Sequence, residues 1–344
     1  MAPINTSALE SIAAKLVDPG RGILAADEST PTIGKRFTMI DLESTEEHRR
    51  AYRDMLFTTP NVGEFISGVI LYDETLRQKI SDGTPIPAAL EARNMVPGIK
   101  VDTGAKDLAS CPGEKVTEGL DGLRGRLEEY HGLGARFAKW RAVINIGDGL
   151  PSRHCLRVNA HALARYAALC QEAEIVPIVE PEVIMDGGHS IERCYEVTEH
   201  ALRHLFGELF EQGVHLEGTL LKPNMVISGT ECPQQASPAE VAEQTVRCLT
   251  RNVPASIPGI VFLSGGQSDQ DATHHLSLMN AMGDHPWELS FSYGRALQHP
   301  ALMAWGGKPE NVEKAQKVFH HRSRMNSEAR YGRYETKMER EVAA

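Results

Sequence analysis

What the chain lacks narrows its class first. None of its 344 residues belongs to an uninterrupted apolar run near the ~20 residues needed to span a bilayer. Six cysteines, at positions 111, 155, 170, 194, 232 and 248, form no Cys-x-x-Cys pair. That excludes a disulfide framework and a zinc knot as expectations and leaves reduced structural thiols. Fourteen histidines include the helical pair His200 and His204 and the adjacent pairs His274-His275 and His320-His321. No His-Glu-x-x-His motif or carboxylate-flanked ligand set accompanies them, so neither a catalytic metal nor any other cofactor is expected. There is no basic tract and no aromatic-interleaved basic patch, and 36 Lys+Arg against 46 Asp+Glu leave a net charge of −10. Nonspecific nucleic-acid binding is therefore not expected, and any anionic ligand must be held by a local cluster of cations. A secretory signal is missing as well. Met1 to Gly20 carries Glu10 and Asp18 among Leu9, Ile12, Leu16 and Val17, the pattern of an amphipathic helix, and a cytoplasmic location is the resulting expectation.

With 41% hydrophobic and 24% charged residues, the chain can bury a large core and stay soluble. Its length would accommodate two or three average domains, but single α/β barrels of roughly 250 residues and more are common. Short β-branched and apolar runs alternate with helical periodicity, as in a parallel sheet covered by helices. The runs are Gly22 to Asp27, Ile66 to Asp73, Val96 to Asp102, Phe137 to Ile144, Ile175 to Glu182, Leu216 to Asn224, Gly259 to Gly265 and Trp287 to Gly294. Several are apolar nearly throughout, which suits strands buried on both faces. Ser237-Pro238-Ala239-Glu240 reads as a capped helix start, and Ser190 and Gly213 bracket another helix. No low-complexity linker or composition break divides the chain. The expectation is one domain over 1–344: a (β/α)8 TIM barrel from about 20 to 308 with extra N- and C-terminal helices. The extension at about 309–344 carries a polar helix from Asn311 to about Tyr334, standing outside the repeat.

In such barrels the catalytic groups close the strands at their C-terminal ends. Here the runs close with Asp27-Glu28, Asp73, Lys100-x-Asp102, Glu180-x-Glu182, Lys222, Ser264-Gly265-Gly266 and Ser292-Tyr293-Gly294-Arg295, while the fourth contains Lys139-x-Arg141. Residues two apart on a strand point to the same side, so these pairs can face the barrel axis together. Lys222 either snorkels out of its strand end or is an amine kept neutral by desolvation and a neighbouring cation, able to form a Schiff base with a carbonyl. Lys139 is the candidate cation. Glu180 and Glu182 either neutralise Lys139 and Arg141 or supply the proton donor and acceptor that expelling water from a carbinolamine requires. Asp27 either accepts loop amides or accepts a hydroxyl proton as a carbon–carbon bond breaks. The glycine loops after the last two runs suit a phosphate held by backbone N–H groups and the Arg295 fork.

These residues lie in motifs that resemble the class I, Schiff-base-forming fructose-1,6-bisphosphate aldolases. The motifs are Gly22-Ile23-Leu24-Ala25-Ala26-Asp27-Glu28-Ser29, Gly98-Ile99-Lys100-Val101-Asp102, Gly119-Leu120-Asp121-Gly122-Leu123 and Phe137-Ala138-Lys139-Trp140-Arg141. They continue in Val179-Glu180-Pro181-Glu182, Leu216 to Met225, Phe262 to Gln267 and Phe291 to Leu297. The resemblance, running from about Gly20 to about Lys308, implies that Lys222 forms an iminium at the substrate C2 ketone. It implies Glu180 as the acid/base for dehydration, Lys139 and Glu182 as its electrostatic partners, and Asp27 as acceptor of the C4 hydroxyl proton. It assigns the C1 phosphate to Ser264, Gly265, Gly294 and Arg295, with Gly266, Ser292 and Arg141 among the substrate- or phosphate-binding residues. Ser29, Thr32, Arg36 and Lys100 lie toward the C6 phosphate, and Arg49 matches a substrate-associated arginine. A metal-free enzyme of glycolysis and gluconeogenesis is implied, with a phosphosugar substrate and a homotetrameric assembly.

The sequence departs from the family at three places. Pro31-Thr32 replaces glycine and serine, the loop Gly104 to Glu114 differs from animal forms, and the chain ends Glu341-Val342-Ala343-Ala344 where animal members end in tyrosine. Enamine protonation is therefore expected to use other groups or a differently built tail, and truncation after Tyr331 to leave cleavage nearly unchanged. The alternatives are a Schiff-base aldolase or transaldolase acting on another phosphosugar, and a barrel scaffold with relict catalytic residues. Two phosphate clusters favour a bisphosphate, and a relict scaffold would be expected to have lost Lys222, Glu180 or Asp27.

Overall fold

The computed structural model describes residues 4–343, with side chains described through residue 340. Ten strands form: β1 (Gly22–Ala26), β2 (Ile66–Leu71), β3 (Val96–Lys100), β4 (Gly104–Asp107), β5 (Lys115–Glu118), β6 (Phe137–Ile144), β7 (Val176–Val183), β8 (Leu220–Leu221), β9 (Gly259–Phe262) and β10 (Glu288–Tyr293). Eight of them close a barrel in the order β1, β2, β3, β6, β7, β8, β9, β10. Every neighbouring pair in it is parallel. Helices connect the strands, which is the (β/α)8 TIM architecture. The remaining two strands, β4 and β5, pair antiparallel as a hairpin in the connection from β3 to β6.

The helices form where caps and apolar stripes coincide. In Ile191–Glu211 the Ser190 side chain accepts the Arg193 N–H, and Cys194, Val197, Ala201, Leu202, Leu205 and Leu209 form the buried stripe. Gly213 closes that turn with φ +65.

One alternation decides where chemistry can sit. An apolar cluster of Ile23, Ile70, Val96, Phe137, Val176, Ile178, Leu220 and Val261 draws on seven barrel strands and therefore fills the barrel interior. Leu9, Ala13, Leu16 and Val17 join it, so the N-terminal helix Thr6–Leu16 and the residue after it stop the barrel's N-terminal end. Glycine makes room for this packing. A Cβ at Gly98 would lie 2.3 Å from the Phe137 ring, and one at Gly259 would lie 2.5 Å from Val17. Two residues further along the same strand faces, the apolar series becomes charged. Phe137 is followed by Lys139 and Arg141, Val176 and Ile178 by Glu180 and Glu182, and Leu220 by Lys222. The opposite face stays apolar, with Trp140 packing at 5.6 Å on Tyr166 of helix Arg153–Glu172.

Four expectations change. The run Leu216 to Asn224 contributes only Leu220–Leu221 as strand, because Leu216–Gly218 forms a 3₁₀ turn and Gly218 lies against Leu9 of the N-terminal helix. Asp73 does not face the barrel mouth; it opens a short helix, Asp73–Leu76, and pairs with Arg77 at 3.0 Å. The loop after Gly104 is built as the β4–β5 hairpin. The polar C-terminal helix, Val312–Arg330, is packed rather than appended, burying Ala315, Phe319, Arg322, Met325, Asn326 and Arg330. Arg322 donates to the Asp269 carbonyl at 2.8 Å and to Thr273 at 2.7 Å, and pairs with Glu339 in the segment Thr336–Ala343. Residues 1–3 of the expected N-terminal helix and the terminal Ala344 lie outside the described residues. No helix among the described residues is long and apolar enough to cross a membrane.

Candidate active site

A cavity of about 370 Å³ opens at the C-terminal ends of the barrel strands. Its wall takes in every expected site residue except one: Asp27, Ser29, Thr32, Arg36, Lys100, Lys139, Arg141, Glu180, Glu182, Lys222, Ser264, Gly265, Gly266, Ser292, Gly294 and Arg295. The exception is Arg49. Its guanidinium donates to Glu74 at 2.9 Å and to the Ser44 carbonyl at 2.6 Å, and it does not line the cavity.

At the centre four side chains form a chain of alternating charge. Lys222 Nζ is 3.2 Å from Glu180 Oε1, Lys139 Nζ is 3.4 Å from Glu180 Oε2, and Lys139 Nζ is 2.7 Å from Asp27 Oδ2. The backbone sets these distances, since Lys222 N–H donates to the Val179 carbonyl at 2.9 Å and Arg141 on β6 stands in register with Glu180 on β7. Lys222, Lys139 and Glu180 are all buried.

Burial alone would raise the Asp27 pKa, but the charges of Lys139 and then Lys222 outweigh it and hold the carboxyl far below the usual range. Glu180 behaves alike: burial opposes ionisation, while Lys222, Lys139 and Arg141 together bring the pKa below its ordinary value. Lys139 is pushed the other way. Burial would favour the neutral amine, yet Asp27 and Glu180 raise its pKa and keep the ammonium charged. Arg141 donates Nε to Glu182.

Two polar clusters flank this centre. On one side Gly265 and Gly266 follow β9. A Cβ at Gly265 would meet Met185 at 2.3 Å, and Gly266 has φ +71, so the loop approaches the cavity as bare backbone. Arg295 begins the helix Arg295–Trp305 and donates to the Gln267 carbonyl at 2.9 Å, placing its guanidinium beside a helix N-terminus. Ser292 Oγ is buried there without a hydrogen-bond partner. A buried polar atom left open on a cavity wall suits a ligand. On the other side Ser29 Oγ and Thr32 Oγ1 are 3.0 Å apart, Arg36 reaches in from helix Thr30–Phe37, and Lys100 Nζ lies 3.7 Å from Asp102 Oδ1.

The sequence pattern gave no role to Glu28, which lines the cavity and pairs with Arg36. Strand alternation would have turned it away from Asp27, but β1 ends at Ala26 and the rule stops there. Among the described residues no group of three or more His, Cys, Asp or Glu side chains is arranged to hold a metal ion.

The chain is similar to known proteins over most of its length. The family model described as "Fructose-bisphosphate aldolase class-I" matches residues 8–344. A "Probable fructose-bisphosphate aldolase class 1" of Xanthomonas axonopodis pv. citri is 60% identical over 327 residues, 95% of this chain and 98% of that protein. "Fructose-bisphosphate aldolase 4, cytosolic" of Arabidopsis thaliana is 53% identical over 96% of this chain and 84% of its own length. Among solved structures, the aldolase of Plasmodium falciparum, in a ternary complex with TRAP and a small-molecule inhibitor, superposes with a TM-score of 0.95. It is 52% identical over 96% of this chain and 95% of that one.

Proposed function

Because the chain belongs to the class-I fructose-bisphosphate aldolase family, a family of lyases, we propose that Lys222 is the Schiff-base residue and that the Lys222–Glu180–Lys139–Asp27 chain carries the proton transfers. The observation that carries this reading is Glu180 lying within 3.4 Å of both lysine ammoniums.

The sequence of events follows from charge. Glu180, ionised in the free site, takes a proton from Lys222, and the freed amine attacks the C2 ketone of fructose 1,6-bisphosphate to give a carbinolamine. The same proton, returned by Glu180 to the departing hydroxyl, expels water and leaves an iminium. Asp27, ionised beside Lys139, accepts the C4 hydroxyl proton. The C3–C4 electron pair then moves toward the iminium nitrogen, and glyceraldehyde 3-phosphate departs. The remaining enamine is protonated at C3, and water hydrolyses the resulting iminium to dihydroxyacetone phosphate. Lys139 stays charged throughout and keeps the two carboxylates from repelling each other, while Glu182 fixes Arg141 at the rim.

The glycine loop, Ser292 and Arg295 take the C1 phosphate; Ser29, Thr32, Arg36 and Lys100 take the C6 phosphate. Arg49 acts, in this reading, only through Glu74. A cytoplasmic location and a homotetramer complete it, supported by the relatives named cytosolic and by the family resemblance.

Incubation with fructose 1,6-bisphosphate and borohydride tests the mechanism. A mass adduct on Lys222, with cleavage unaffected by EDTA, is expected. An adduct elsewhere, no adduct, or loss of cleavage on chelation would overturn it.

A further inference from the structure

Arg53, on helix Glu46–Phe57, is 1% exposed and lies behind the cavity wall, not on it. A buried guanidinium ordinarily uses its donors fully, because an unpaired one is costly. Here Nε and Nη1 have no hydrogen-bond partner. Its charge is balanced instead by two carboxylates, Glu74 at 3.6 Å and Glu28 at 3.9 Å. Glu74 is already bound by Arg49. The one hydrogen bond Arg53 makes in this region is Nη2 to the main-chain carbonyl of Glu28, at 2.8 Å. It thus grips the residue next to Asp27 by backbone and by charge.

Glu28 is a carboxylate of unfavourable sign for its position. It lines a cavity that has to admit phosphates, and its Oε1 accepts Arg36 Nη1 together with Gln298 Nε2 at 2.9 Å. Gln298 is itself fixed, donating to the Ala25 carbonyl at 2.7 Å and accepting Tyr52 OH at 3.2 Å. Glu28 Oε2 makes no hydrogen bond and points back toward Arg53. Left uncompensated, this carboxylate would both repel an arriving phosphate and absorb the charge of Arg36.

We propose that Arg53 is a positioning residue that neutralises Glu28 from behind, so that Glu28 orients Arg36 without consuming its charge, and that this Arg53–Glu28–Arg36 relay sets the preference for a bisphosphate over a monophosphate. The proposal rests on assigning the Ser29–Thr32–Arg36 side to the second phosphate. Tyr52 and Gln298 brace Glu28 from the other flank and keep its front oxygen on Arg36.

The test compares kcat and KM for fructose 1,6-bisphosphate and fructose 1-phosphate in the full-length enzyme. With Arg53→Met, KM for the bisphosphate should rise at least tenfold while its kcat changes less than threefold. Both constants for fructose 1-phosphate should stay within threefold. Adding Glu28→Gln to Arg53→Met removes the charge needing compensation and should restore selectivity to within threefold of wild type. A merely structural role for Arg53 predicts equal losses on both substrates and no restoration, and that result overturns the proposal. Arg36→Met separates the two premises. If it leaves selectivity intact, the phosphate assignment fails; if it abolishes selectivity while Arg53→Met does not, the relay alone fails. Where Arg53→Met yields no soluble enzyme, the double variant decides, and a tenfold selectivity loss in it overturns the relay.

Discussion

Replacing Lys139 by methionine removes a cation that holds two buried carboxylates, 2.7 Å from Asp27 and 3.4 Å from Glu180, while keeping similar bulk. Breaking a buried pair by deleting one partner costs about 3–5 kcal/mol, so a stability loss near the lower end is expected, since the orphaned carboxyls can protonate. The pH dependence fixes the sign. Asp27 has a folded pKa far below its ordinary 3.8, so its contribution to stability is present above that value and lost as pH falls through the depressed one. Without Lys139 that contribution largely disappears, and the gap between wild type and variant should narrow on acidification below about pH 4. Catalysis should suffer more. In the proposed mechanism Asp27 accepts the C4 proton and has to be ionised for it, and in the variant burial raises its pKa against Lys222 and Lys100 alone. The acid limb of kcat should therefore move to higher pH, with kcat at neutrality lower by about 10²–10⁴, the range ascribed to a positioned base. Cleavage rates between about pH 5 and 9, with urea unfolding at about pH 3 and 7, measure both effects. A variant with kcat within threefold of wild type and an unmoved acid limb would refute the role given to Lys139.

Ser292→Ala removes a buried hydroxyl that has no partner in the protein. Its unfolding midpoint should stay level or rise slightly, while KM for the bisphosphate rises about 2- to 13-fold, the equivalent of one hydrogen bond worth about 0.5–1.5 kcal/mol. A drop in stability with unchanged KM would show the hydroxyl to be structural. Glu339→Gln strips the partner of Arg322, whose side chain is 4% exposed, and should cost about 3 kcal/mol in denaturant unfolding at neutral pH. Burial raises the Glu339 pKa, but His321 and Arg322 lower it further, leaving it below its ordinary 4.5. The difference from wild type should then be present above that value and fade as pH falls through the depressed one. Truncation after Tyr331 should show the same loss of stability, with cleavage at moderate temperature nearly unchanged; a large loss in kcat would mean that the segment reaches the chemistry.

Strand and site were legible in the sequence to different depths. Phe137 to Ile144 is readable as β6 from its apolar run, within which Lys139 and Arg141 stand two apart on one face. The change from Phe137 to Lys139 and Arg141 already marked which end of the barrel is wet. The apolar run read from Leu216 extends the strand too far back, because Leu216–Gly218 is a 3₁₀ turn whose Gly218 lies against Leu9 of the N-terminal helix, a contact distant in sequence. The β4–β5 hairpin was invisible because Gly104–Asp107 is a short polar stretch with little periodicity. Arg322, Asn326 and Arg330 made the last helix look solvated, since burial of polar residues depends on distant partners such as the Asp269 carbonyl. Arg49 and Arg53 show the same limit. Both are helix arginines four apart, and nothing in their spacing tells that one closes on Glu74 and the other supports Glu28.

The apolar filling of the barrel, closed at its far end by Leu9, Ala13, Leu16 and Val17, has a kinetic consequence. A barrel sealed at one end has a single doorway, and both fragments of a cleaved sugar must use it. In the proposed mechanism the ketone half is tethered to Lys222, so the aldehyde must leave first and the tethered half follows after hydrolysis. In the synthetic direction the queue reverses, and an aldehyde that enters before the ketone blocks the passage. Aldehyde in excess should then inhibit condensation competitively with respect to the ketone, a traffic rule written by the apolar filling of the barrel beneath the chemistry.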